Sequence, residues 1–305
     1  MTNRSHTYAV MGATGHVGKI VAERLLRTGA QVRVIGRNAG RLTRLVDQGA
    51  IPYTSEFHDA EALTKAFTGV NGVFAMIPPD YHAPDHVAHQ DRVGSAIARA
   101  LEKVRARFVV SLSSIGAHLA EKNGPIRGLH NQEVRLNNLN ALHAVHLRPA
   151  YFMENLLWSI PTIQSLGING SPLRGDLPIP MVATRDIGAK AAEFLADLTF
   201  QGHTAFEFFG PRLVTMQEAT TLLGKAIGKP DLKYVQFQYE DAEKAMVKAG
   251  LSPDAARLMI EMNRSFNEGL IRPTQSMTLD HLGTTDIAAF AKTFAAAFGA
   301  ATRKQ

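Results

Sequence analysis

The feature that most constrains the fold of this chain is a glycine-rich turn between an apolar run and an amphipathic segment. Residues 8–11 (YAVM) are apolar and lead into residues 12–18 (GATGHVG). Apolar side chains at helical spacing follow as far as Gly29, and a second apolar run covers residues 32–35. This order of strand, glycine turn, helix and strand predicts one βαβ unit.

The three glycines of the turn suit a dinucleotide. Gly12 permits a tight turn off the strand, Gly15 lets a pyrophosphate approach the backbone, and Gly18 lets the helix lie close to the sheet. The helix start adds unpaired N–H groups and the positive end of the helix dipole. A glycine triplet alone also fits an ordinary turn, but here the flanking elements give the context that the motif requires. The predicted cofactor contacts in this turn are Gly12, Thr14, Gly15, His16, Val17 and Gly18.

Arg37 follows the second apolar run and indicates which dinucleotide is bound. An acidic residue at this place would bond the ribose hydroxyls of NAD. The chain instead has Arg37, with no Asp or Glu beside it. Because a guanidinium fits phosphate geometry, the sequence favours NADP(H) over NAD(H). The alternative is a solvated surface arginine, and Arg33 and Arg41 are weaker candidates for the same phosphate.

The composition excludes several classes of protein. The chain of 305 residues has no cysteine, which excludes disulfides, cysteine nucleophiles and thiolate metal sites. No apolar run is long enough to span a bilayer and no leader pattern opens the chain, so we expect a cytoplasmic protein without a membrane partner. The formal net charge of +6 is spread along the sequence, which does not favour nucleic acid as a partner.

Apolar runs and helical patterns alternate through most of the chain. Strand patterns recur near residues 50–53, 72–77, 108–117 and 144–148, with helical patterns near residues 41–48, 59–67, 85–103 and 125–142. This alternation predicts an α/β fold with a doubly wound parallel Rossmann sheet. Further helical patterns follow near residues 215–227, 240–248, 253–267 and 285–298. They predict a smaller, mostly helical C-terminal lobe.

The same patterns predict a division into two parts. We expect residues 1–155 to form the NAD(P)-binding Rossmann domain and residues 181–210 to return to it. Residues 156–180 and 211–305 would form the smaller lobe, which would bind the substrate or a partner. Residues 167–180 are rich in Gly and Pro and predict a loop that crosses the cleft.

Ligands of open α/β sheets lie at the carboxyl ends of the strands. Met76, Ile77 and Pro78 end one predicted strand and should lie near the cofactor, unless they form only a rigid loop. Ser113 and Ser114 end the next strand, where a hydroxyl can bond a substrate carbonyl or the nicotinamide ribose. The alternative is a serine that caps the loop.

Residues of the intervening helix are weaker candidates. Gln90 and Asp91 belong to the site only if that helix begins near it. His82, His86 and His89 lie close together in sequence. A proline between them interrupts the helix and no fixed carboxylate partner is evident, so we predict no metal site.

The chain resembles the NmrA-like family, a branch of the atypical short-chain dehydrogenase/reductases. The resemblance rests on the glycine turn, Gly36-Arg37, residues 110–116 (VSLSSIG), residues 147–155 (LRPAYFMEN) and residues 183–187 (ATRDI). It implies a Rossmann domain with a small C-terminal lobe and NADP(H) in the groove. Members of the family are either reductases, including quinone and azo-dye reductases, or non-catalytic sensors that bind NAD(P) and regulate a partner.

Two departures from this group bear on the chemistry. No tyrosine is followed four residues later by lysine, so the acid pair of ordinary short-chain reductases is absent. His130 stands at or near the place where many reductases of this branch carry a lysine. Ordinary ketone reduction is therefore disfavoured, whereas a quinone or azo group needs mainly a hydride donor held against a flat acceptor.

The remaining candidates surround the nicotinamide end of the cofactor. In this architecture that end lies near Pro149, Tyr151 and Phe152. His130 can protonate the developing oxyanion or orient the ribose, or it only caps its helix. Ser113 and Tyr151 are the other candidate catalytic residues. The candidates for an apolar wall against a planar acceptor, all of which also fit a plain core, are Tyr151, Phe152, Met153 and Trp158.

Two functions remain open on the sequence. The first is an NADPH-dependent oxidoreductase that reduces a small quinone-like or aromatic acceptor by direct hydride transfer without flavin. The second is a non-catalytic NAD(P)-binding redox sensor that regulates a protein partner. In either case we expect a monomer or a homodimer.

Overall fold

The computed structural model describes residues 6–302, and its centre is a parallel sheet of seven strands. Residues 1–5, the start of the predicted first domain, and 303–305, the end of the predicted lobe, lie outside the described residues. In chain order, the strands of residues 6–302 are β1 Thr7–Met11, β2 Gln31–Gly36, β3 Ile51–Thr54, β4 Gly72–Ala75, β5 Phe108–Leu112, β6 His143–Pro149, β7 Ile168–Ser171, β8 His203–Phe208 and β9 Lys233–Gln236.

The order of the main sheet is β3-β2-β1-β4-β5-β6-β8, and every neighbouring pair is parallel. From β1 the sheet first extends through β2 to β3. The chain then crosses to the other side of β1 and forms β4 there. This reversal is the point at which a doubly wound sheet forms its ligand crevice. The predicted fold class is confirmed.

Helices cover both faces of this sheet. In residues 6–302 they are α1 His16–Arg27, α2 Thr43–Val46, α3 Ala60–Phe67, α4 His86–Lys103, α5 Arg127–Asn137, α6 Ile160–Leu166, α7 Thr184–Asp197, α8 Met216–Ala226, α9 Tyr239–Lys248, α10 Pro253–Asn267 and α11 Ile287–Thr302. One apolar core joins α1 and α7 to the sheet. A second core joins α3, α4 and α5 to the opposite face.

The strand sequences explain this arrangement. Val10 and Phe74 face the core under α1 and α7, whereas Ala9 and Val73 face the core under α3 and α4. All of these side chains are buried. A continuous apolar run is what a parallel strand covered on both faces requires.

Polar side chains fix several helix starts. Asp59 accepts the N–H groups of two first-turn residues of α3, and Asp85 accepts the N–H of Ala88 at the start of α4. Thr215 accepts the N–H of Glu218 at the start of α8. The Glu218 carboxylate then pairs with Arg212, at 2.8 Å. Each cap satisfies backbone donors that the helix itself leaves unpaired.

The smaller lobe contains α6, α8, α9, α10 and α11, and it differs from the prediction in one place. Residues 167–180 were expected to form only a loop, but they contain β7, which pairs in parallel with β9. Asn169 anchors β7 by donating to the Thr220 hydroxyl of α8, at 2.7 Å. A strand of four residues among Gly and Pro has too little periodicity to be read from sequence.

The route of the chain between the two parts is now defined, although the division into domains stays a prediction. After β6, a 3₁₀ segment, Met153–Ser159, leads into α6. Residues 181–183 make a single bridge between Val182 and Phe152 before α7 begins. The next strand, β8, then pairs with β6 in the main sheet.

The edge strand β8 is completed by residues from near the end of the chain. Glu207 is fully buried, and its carboxylate accepts the N–H groups of Thr274 and Gln275 at 2.7 and 2.9 Å. It also accepts the Thr274 hydroxyl at 2.7 Å, and the Gln275 amide donates to Ala205 of the strand. These bonds cover the edge that β8 would otherwise leave open.

Within residues 6–302, no helix combines the length and the apolar character that crossing a membrane requires.

Candidate functional site

The glycine turn at the end of β1 forms a narrow cradle at the switch point of the sheet. Gly12 has a φ of +62°, and a Cβ there would lie 2.8 Å from the Met76 sulfur. A Cβ on Gly18 would lie 2.4 Å from the carbonyl oxygen of Gly12. The backbone conformation at the first position and the close packing at the second therefore require glycine.

The start of α1 is open to a ligand. Gly15 is the N-cap residue of this helix and no side chain caps it. Thr14, Gly15 and His16 are exposed, while Val17 is buried and can offer only its backbone N–H. Unpaired N–H groups at a helix N-terminus bind phosphate oxygens, and the cradle leaves room for a pyrophosphate beside them.

Arg37 lies at the rim of this cradle. A Cβ on Gly36, the residue before it, would lie 3.5 Å from the Thr14 methyl group, so the end of β2 adjoins the glycine turn. Arg37 is exposed, and no ion pair joins it to any residue of the described range. Its guanidinium is thus available to an incoming phosphate.

Arg33 has another role. It lies in the middle of β2, and its guanidinium donates to the carbonyls of Ala66 and Thr68 at 2.9 and 2.7 Å. Arg33 therefore binds the end of α3, and its guanidinium is not available to the cofactor phosphate. Arg41 is exposed at the end of a 3₁₀ turn after β2.

The segment after β4 lies against the cradle, as the position of the strand predicts. Met76 packs over Gly12, and Pro78 is half-buried. Ile77 is buried in the core under α3 and α4, so its side chain does not line the crevice. Of the three predicted contacts, Met76 is the one that the geometry places beside the glycine turn.

A buried polar network lies at the carboxyl ends of β5 and β6. The Ser113 hydroxyl donates to Glu133 of α5 at 2.5 Å. Arg148 of β6 holds the same carboxylate with two hydrogen bonds, one of them at 2.8 Å. Burial alone would raise the pKa of Glu133, but the bonds from Arg148 and Ser113 outweigh it and the pKa lies below its usual value. The ion pair is therefore a fixed part of the sheet–helix interface.

This network gives Ser113 a structural partner. The side chain is buried and its hydroxyl donates to Glu133. Ser113 thus contributes to this interface, and its roles in catalysis and cofactor binding stay predictions. Neither Glu133 nor Arg148 was a sequence candidate, because the two residues stand 15 positions apart on different elements. Ser114 is half-buried and remains a candidate.

His130 lies beside the loop that follows β5. Its Nδ1–H donates to the carbonyl of Ala117 at 2.8 Å. The other ring nitrogen has no hydrogen-bond partner among the described residues and is not sealed from solvent. A ring fixed through Nδ1 can donate or accept a proton at Nε2. The structure thus brings His130 to the end of the strand where Ser113 and Ser114 lie.

Tyr151 and Phe152 follow β6 and are held against the entrance to α7. Pro149 is buried at the end of the strand. The Tyr151 carbonyl accepts the N–H of Val182 at 2.8 Å, and the Val182 carbonyl accepts the N–H of Met153 at 2.9 Å. Burial, with a smaller contribution from Tyr234, raises the pKa of the Tyr151 phenol well above its usual value. The phenol therefore stays protonated and does not act as a base near neutral pH.

Two of the sequence segments that carry the family resemblance, residues 147–155 and 183–187, bind to each other. Glu154 accepts both the N–H and the hydroxyl of Thr184, at the start of α7, with the hydroxyl at 2.6 Å. Asp186 accepts the N–H of Thr285 at 2.7 Å. These residues fix the loop after β6 and tie α7 to the last part of the chain. Their role is to position the site.

The candidates in α4 have structural roles. Gln90 is buried and donates to the carbonyl of Pro125, and Asp91 pairs with Arg135 of α5. Both residues therefore join α4 to α5 and do not line the crevice. The nearby imidazoles of His82 and His86 bond different carbonyls, those of Gly250 and Asp80. No group of three His, Cys, Asp or Glu side chains in residues 6–302 could hold a metal ion.

The residues expected to form an apolar wall separate into two groups. Met153 is fully buried in the core. Tyr151 and Phe152 are half-buried, whereas Trp158 is exposed and packs edge-on against the ring of Tyr81. Sequence reasoning missed Tyr81, because nothing in the residues around it indicates a contact with a segment more than 70 positions away.

Known proteins resemble this chain along most of its length. A sequence model of the NmrA-like family matches residues 4–291. The (4-alkanoyl-5-oxo-2,5-dihydrofuran-3-yl)methyl phosphate reductase of Streptomyces griseus is 31% identical over 254 residues, which cover 83% of this chain and 84% of the relative. Quinone oxidoreductase 2 of Escherichia coli is 24% identical over 287 residues, which cover 91% of this chain and 95% of the relative.

Solved structures share the fold. The crystal structure of the E. coli NADPH-dependent quinone oxidoreductase with NADPH superposes with a TM-score of 0.78 at 23% identity, over 94% of this chain and 99% of the other. Triphenylmethane reductase of Citrobacter sp. with NADP(H) gives 0.77 at 20% identity, over 94% and 99%. NmrA, a negative transcriptional regulator in complex with NAD, gives 0.73 at 15% identity, over 98% of each chain.

Proposed function

The chain belongs to the NmrA-like family, and on that premise we propose that it is an NADPH-dependent reductase of small, electron-poor conjugated acceptors. The observation that carries the proposal is the glycine cradle at the switch point, with the unpaired Arg37 at its rim. Hydride would pass directly to a quinone-like or aromatic acceptor, without flavin. The acceptor would lie at the carboxyl ends of β4, β5 and β6.

The residues of the cradle suit a dinucleotide phosphate. Gly12 and Gly18 leave space that a side chain would fill, and the uncapped start of α1 offers N–H groups to a pyrophosphate. At the end of β2, Arg37 would bond the 2′-phosphate where NAD-specific proteins place a carboxylate. NADP(H) is therefore the preferred cofactor in this proposal. When bound, it would supply the hydride.

The names of three relatives support the choice of acceptor class. They are a (4-alkanoyl-5-oxo-2,5-dihydrofuran-3-yl)methyl phosphate reductase, a quinone oxidoreductase and a triphenylmethane reductase. A ring double bond beside two carbonyls, a quinone and a triphenylmethane dye are all electron-poor conjugated systems. Each spreads the added electron pair over several atoms, so a strong acid is not required in the transition state. This agrees with a chain that lacks the tyrosine–lysine acid pair.

His130 would deliver the proton that completes the reduction. Its ring is held through Nδ1 to the Ala117 carbonyl, which leaves Nε2 to donate toward the acceptor. An imidazole acts as a general acid and can take this proton back from solvent after each turnover. Tyr151 and Phe152 would pack against the nicotinamide end, since they follow β6 directly.

A titration tests this function. The purified protein is titrated with NADPH by fluorescence, and a panel of quinones and an alkanoyl-dihydrofuranone are then added while NADPH absorbance is recorded. Tight binding with protein-dependent NADPH oxidation is the expected result. Binding without oxidation of any acceptor in the panel would contradict the reductase, and the absence of binding would contradict the cofactor site.

A redox sensor is the second candidate, and one observation favours it. The Ser113 hydroxyl donates its proton to Glu133, and the Tyr151 phenol is buried, with a raised pKa. Of the three catalytic candidates, only His130 is left as a ready proton donor. In this function the protein would bind NAD(P) and a protein partner without turnover. Cofactor binding with no oxidation, together with cofactor-dependent association with a partner, would favour this function.

A further inference from the structure

Two loops meet above the carboxyl end of β5. The first follows β4 and includes Tyr81, and the second is the 3₁₀ segment after β6 that includes Trp158. Because β4 and β6 flank β5 in the sheet, contact between these loops spans the crevice. The rings of Tyr81 and Trp158 make that contact edge-on, with centroids 5.5 Å apart and an interplanar angle of 89°.

Tyr81 is held rigidly from behind. Its ring stacks on the buried imidazole of His86, with centroids 5.5 Å apart and planes within 2° of parallel. His86 is in turn fixed through Nδ1 to the Asp80 carbonyl at 2.9 Å. The orientation of the Tyr81 ring is therefore set by the fold and does not depend on a ligand.

The smaller lobe holds the same loop in place. The Tyr81 carbonyl accepts the N–H of Ser252 at 2.8 Å, and His82 donates to the Gly250 carbonyl at 2.8 Å. Asp254, in the first turn of α10, accepts the N–H of His86 at 3.0 Å. Two hydrogen bonds thus join the loop after β4 to the turn between α9 and α10, and a third joins the start of α4 to the first turn of α10.

Trp158 stays exposed although its segment is anchored. The side chain is 57% exposed, while Met153 and Leu156 of the same 3₁₀ segment are buried. Met153 is also bonded through its N–H to Val182. An indole left in solvent on an anchored segment, against a fixed tyrosine, is a preformed surface for a flat ring.

The charges beside these rings restrict what binds there. Residues 76–85 and 153–159 contain no Lys or Arg, and their charged groups are the carboxylates Asp80, Asp85 and Glu154. Both loops thus carry net negative charge without a Lys or Arg, which disfavours an anionic ring beside them. Burial also raises the pKa of Tyr81, which keeps its phenol neutral.

We infer that Tyr81 and Trp158 form the acceptor subsite, and that it selects uncharged or cationic planar conjugated rings over anionic ones. The inference rests on the proposed reductase function and names the acceptor more closely. The acceptor ring stacks on the exposed face of the Trp158 indole, which Tyr81 supports edge-on above the end of β5. His130 stands beside the same strand end, on the α5 side.

The first test uses the fluorescence of Trp158, which is the single tryptophan of the chain. The protein is saturated with NADP⁺, so that no hydride is transferred, and is titrated with menadione after correction for absorbance. We expect saturable quenching. A sulfonated naphthoquinone should quench with at least about tenfold weaker apparent affinity, since its anion meets the carboxylates. A linear response to menadione, or equal affinities, would overturn the subsite.

The second test uses kinetics with NADPH and menadione. Trp158→Ala and Tyr81→Ala should each raise KM for menadione about tenfold, the loss of one ring contact, with NADPH affinity unchanged. Trp158→Phe should restore most of the lost affinity. Leu279→Ala, which truncates a side chain that is 88% exposed away from both loops, is the control and should leave KM unchanged.

The two tests separate this inference from the reductase itself. If the wild-type protein oxidises NADPH with menadione but both variants keep its KM, the reductase stands and the subsite is wrong. If menadione quenches Trp158 saturably but is never reduced, the subsite stands and the reductase fails. If neither quenching nor reduction occurs, both are wrong.

Discussion

Gly18 determines how closely α1 approaches the end of β1. A methyl group there would lie 2.4 Å from the Gly12 carbonyl oxygen, which is well inside contact distance. We expect Gly18→Ala to displace the helix start, to weaken NADPH binding, and to lower the free energy of unfolding by about 1–3 kcal/mol. Fluorescence titration and urea unfolding measure the two effects. Gly299→Ala is the control, because its new methyl meets nothing within 4 Å in a helix; an equal effect of both changes would contradict the argument.

Arg37 provides a second test at a single residue, that of the preference for NADPH over NADH. Arg37→Ala should weaken NADPH binding by about 1–3 kcal/mol, the size of a lost charged hydrogen-bond pair, and leave NADH binding nearly unchanged. Titration with each cofactor measures the difference. Arg44→Ala removes another exposed arginine of the same segment and should change neither value. Equal losses for NADPH and NADH would remove Arg37 from the 2′-phosphate site.

His130 tests the proton delivery. His130→Ala should lower kcat by about 10²-fold, the lower end of what a positioned acid contributes, with little change in NADPH affinity. Steady-state kinetics and an NADPH titration separate these effects. His58→Ala removes an exposed histidine and is the matched control. A variant with the wild-type kcat would show that His130 only holds the loop after β5.

At the scale of the elements, α5 and β6 are joined by polar groups in an otherwise apolar interface. Arg148 and Glu133 form the ion pair described above, and two residues earlier on β6 His146 donates to Asn137 of α5 at 2.8 Å. Burial lowers the pKa of His146 to about 4, against the opposing effect of Glu133. The neutral imidazole is therefore the form that the folded state requires.

This shift predicts a pH dependence of stability. An unfolded histidine takes up its proton near pH 6.5, whereas His146 does so near 4 in the folded protein, so acidification favours the unfolded state between these values. The free energy of unfolding should fall by up to about 3 kcal/mol from pH 6.5 to 4, as urea unfolding measures it. His146→Gln should flatten this slope and His58→Gln should keep it. The lowered pKa of Glu133 reduces the free energy of unfolding further, but only below about pH 4.5.

The elements also show what sequence could predict. The opening βαβ unit and the doubly wound parallel sheet could be predicted, because buried parallel strands are continuous apolar runs and because Gly12 and Gly18 are required by the local backbone. The position of β7 could not, since its four residues, INGS, include a single apolar side chain. The bond from Ser113 to Glu133 could not be predicted either, because Glu133 lies 20 residues away on a helix. Local pattern carries no information on such pairs.

At the scale of the whole molecule, the smaller lobe fixes part of the crevice. The turn between α9 and α10 bonds the loop that follows β4, and α10 packs over the loop that follows β5: a Cβ on Gly124 would lie 2.1 Å from the Leu258 carbonyl oxygen. The sheet therefore supplies the strand ends, and the lobe sets the positions of the loops above them. Sequence could not predict this, since the contacts join residues more than 130 positions apart.

Asp254 tests this dependence. Asp254→Ala leaves the N–H of the buried His86 without an acceptor, which should lower the free energy of unfolding by about 1–2 kcal/mol. It should also raise KM for a quinone acceptor while NADPH affinity stays the same, because Tyr81 loses support and the glycine cradle does not. Arg257→Ala removes the other partner of Asp254 and is the control. An unchanged KM for both variants would mean that the lobe does not position the loop.

The covering of β8 has a consequence for how the chain is made. During synthesis, Glu207 is added 67 residues before Thr274. The N–H and the hydroxyl of Thr274 are donors to the Glu207 carboxylate. Until then the carboxylate must stay hydrated, because a charged group is not buried without donors. A nascent chain that ends before residue 274 already holds every strand of the main sheet and still cannot close its last edge. Closure of this edge therefore waits until residues 274 and 275 have been synthesised.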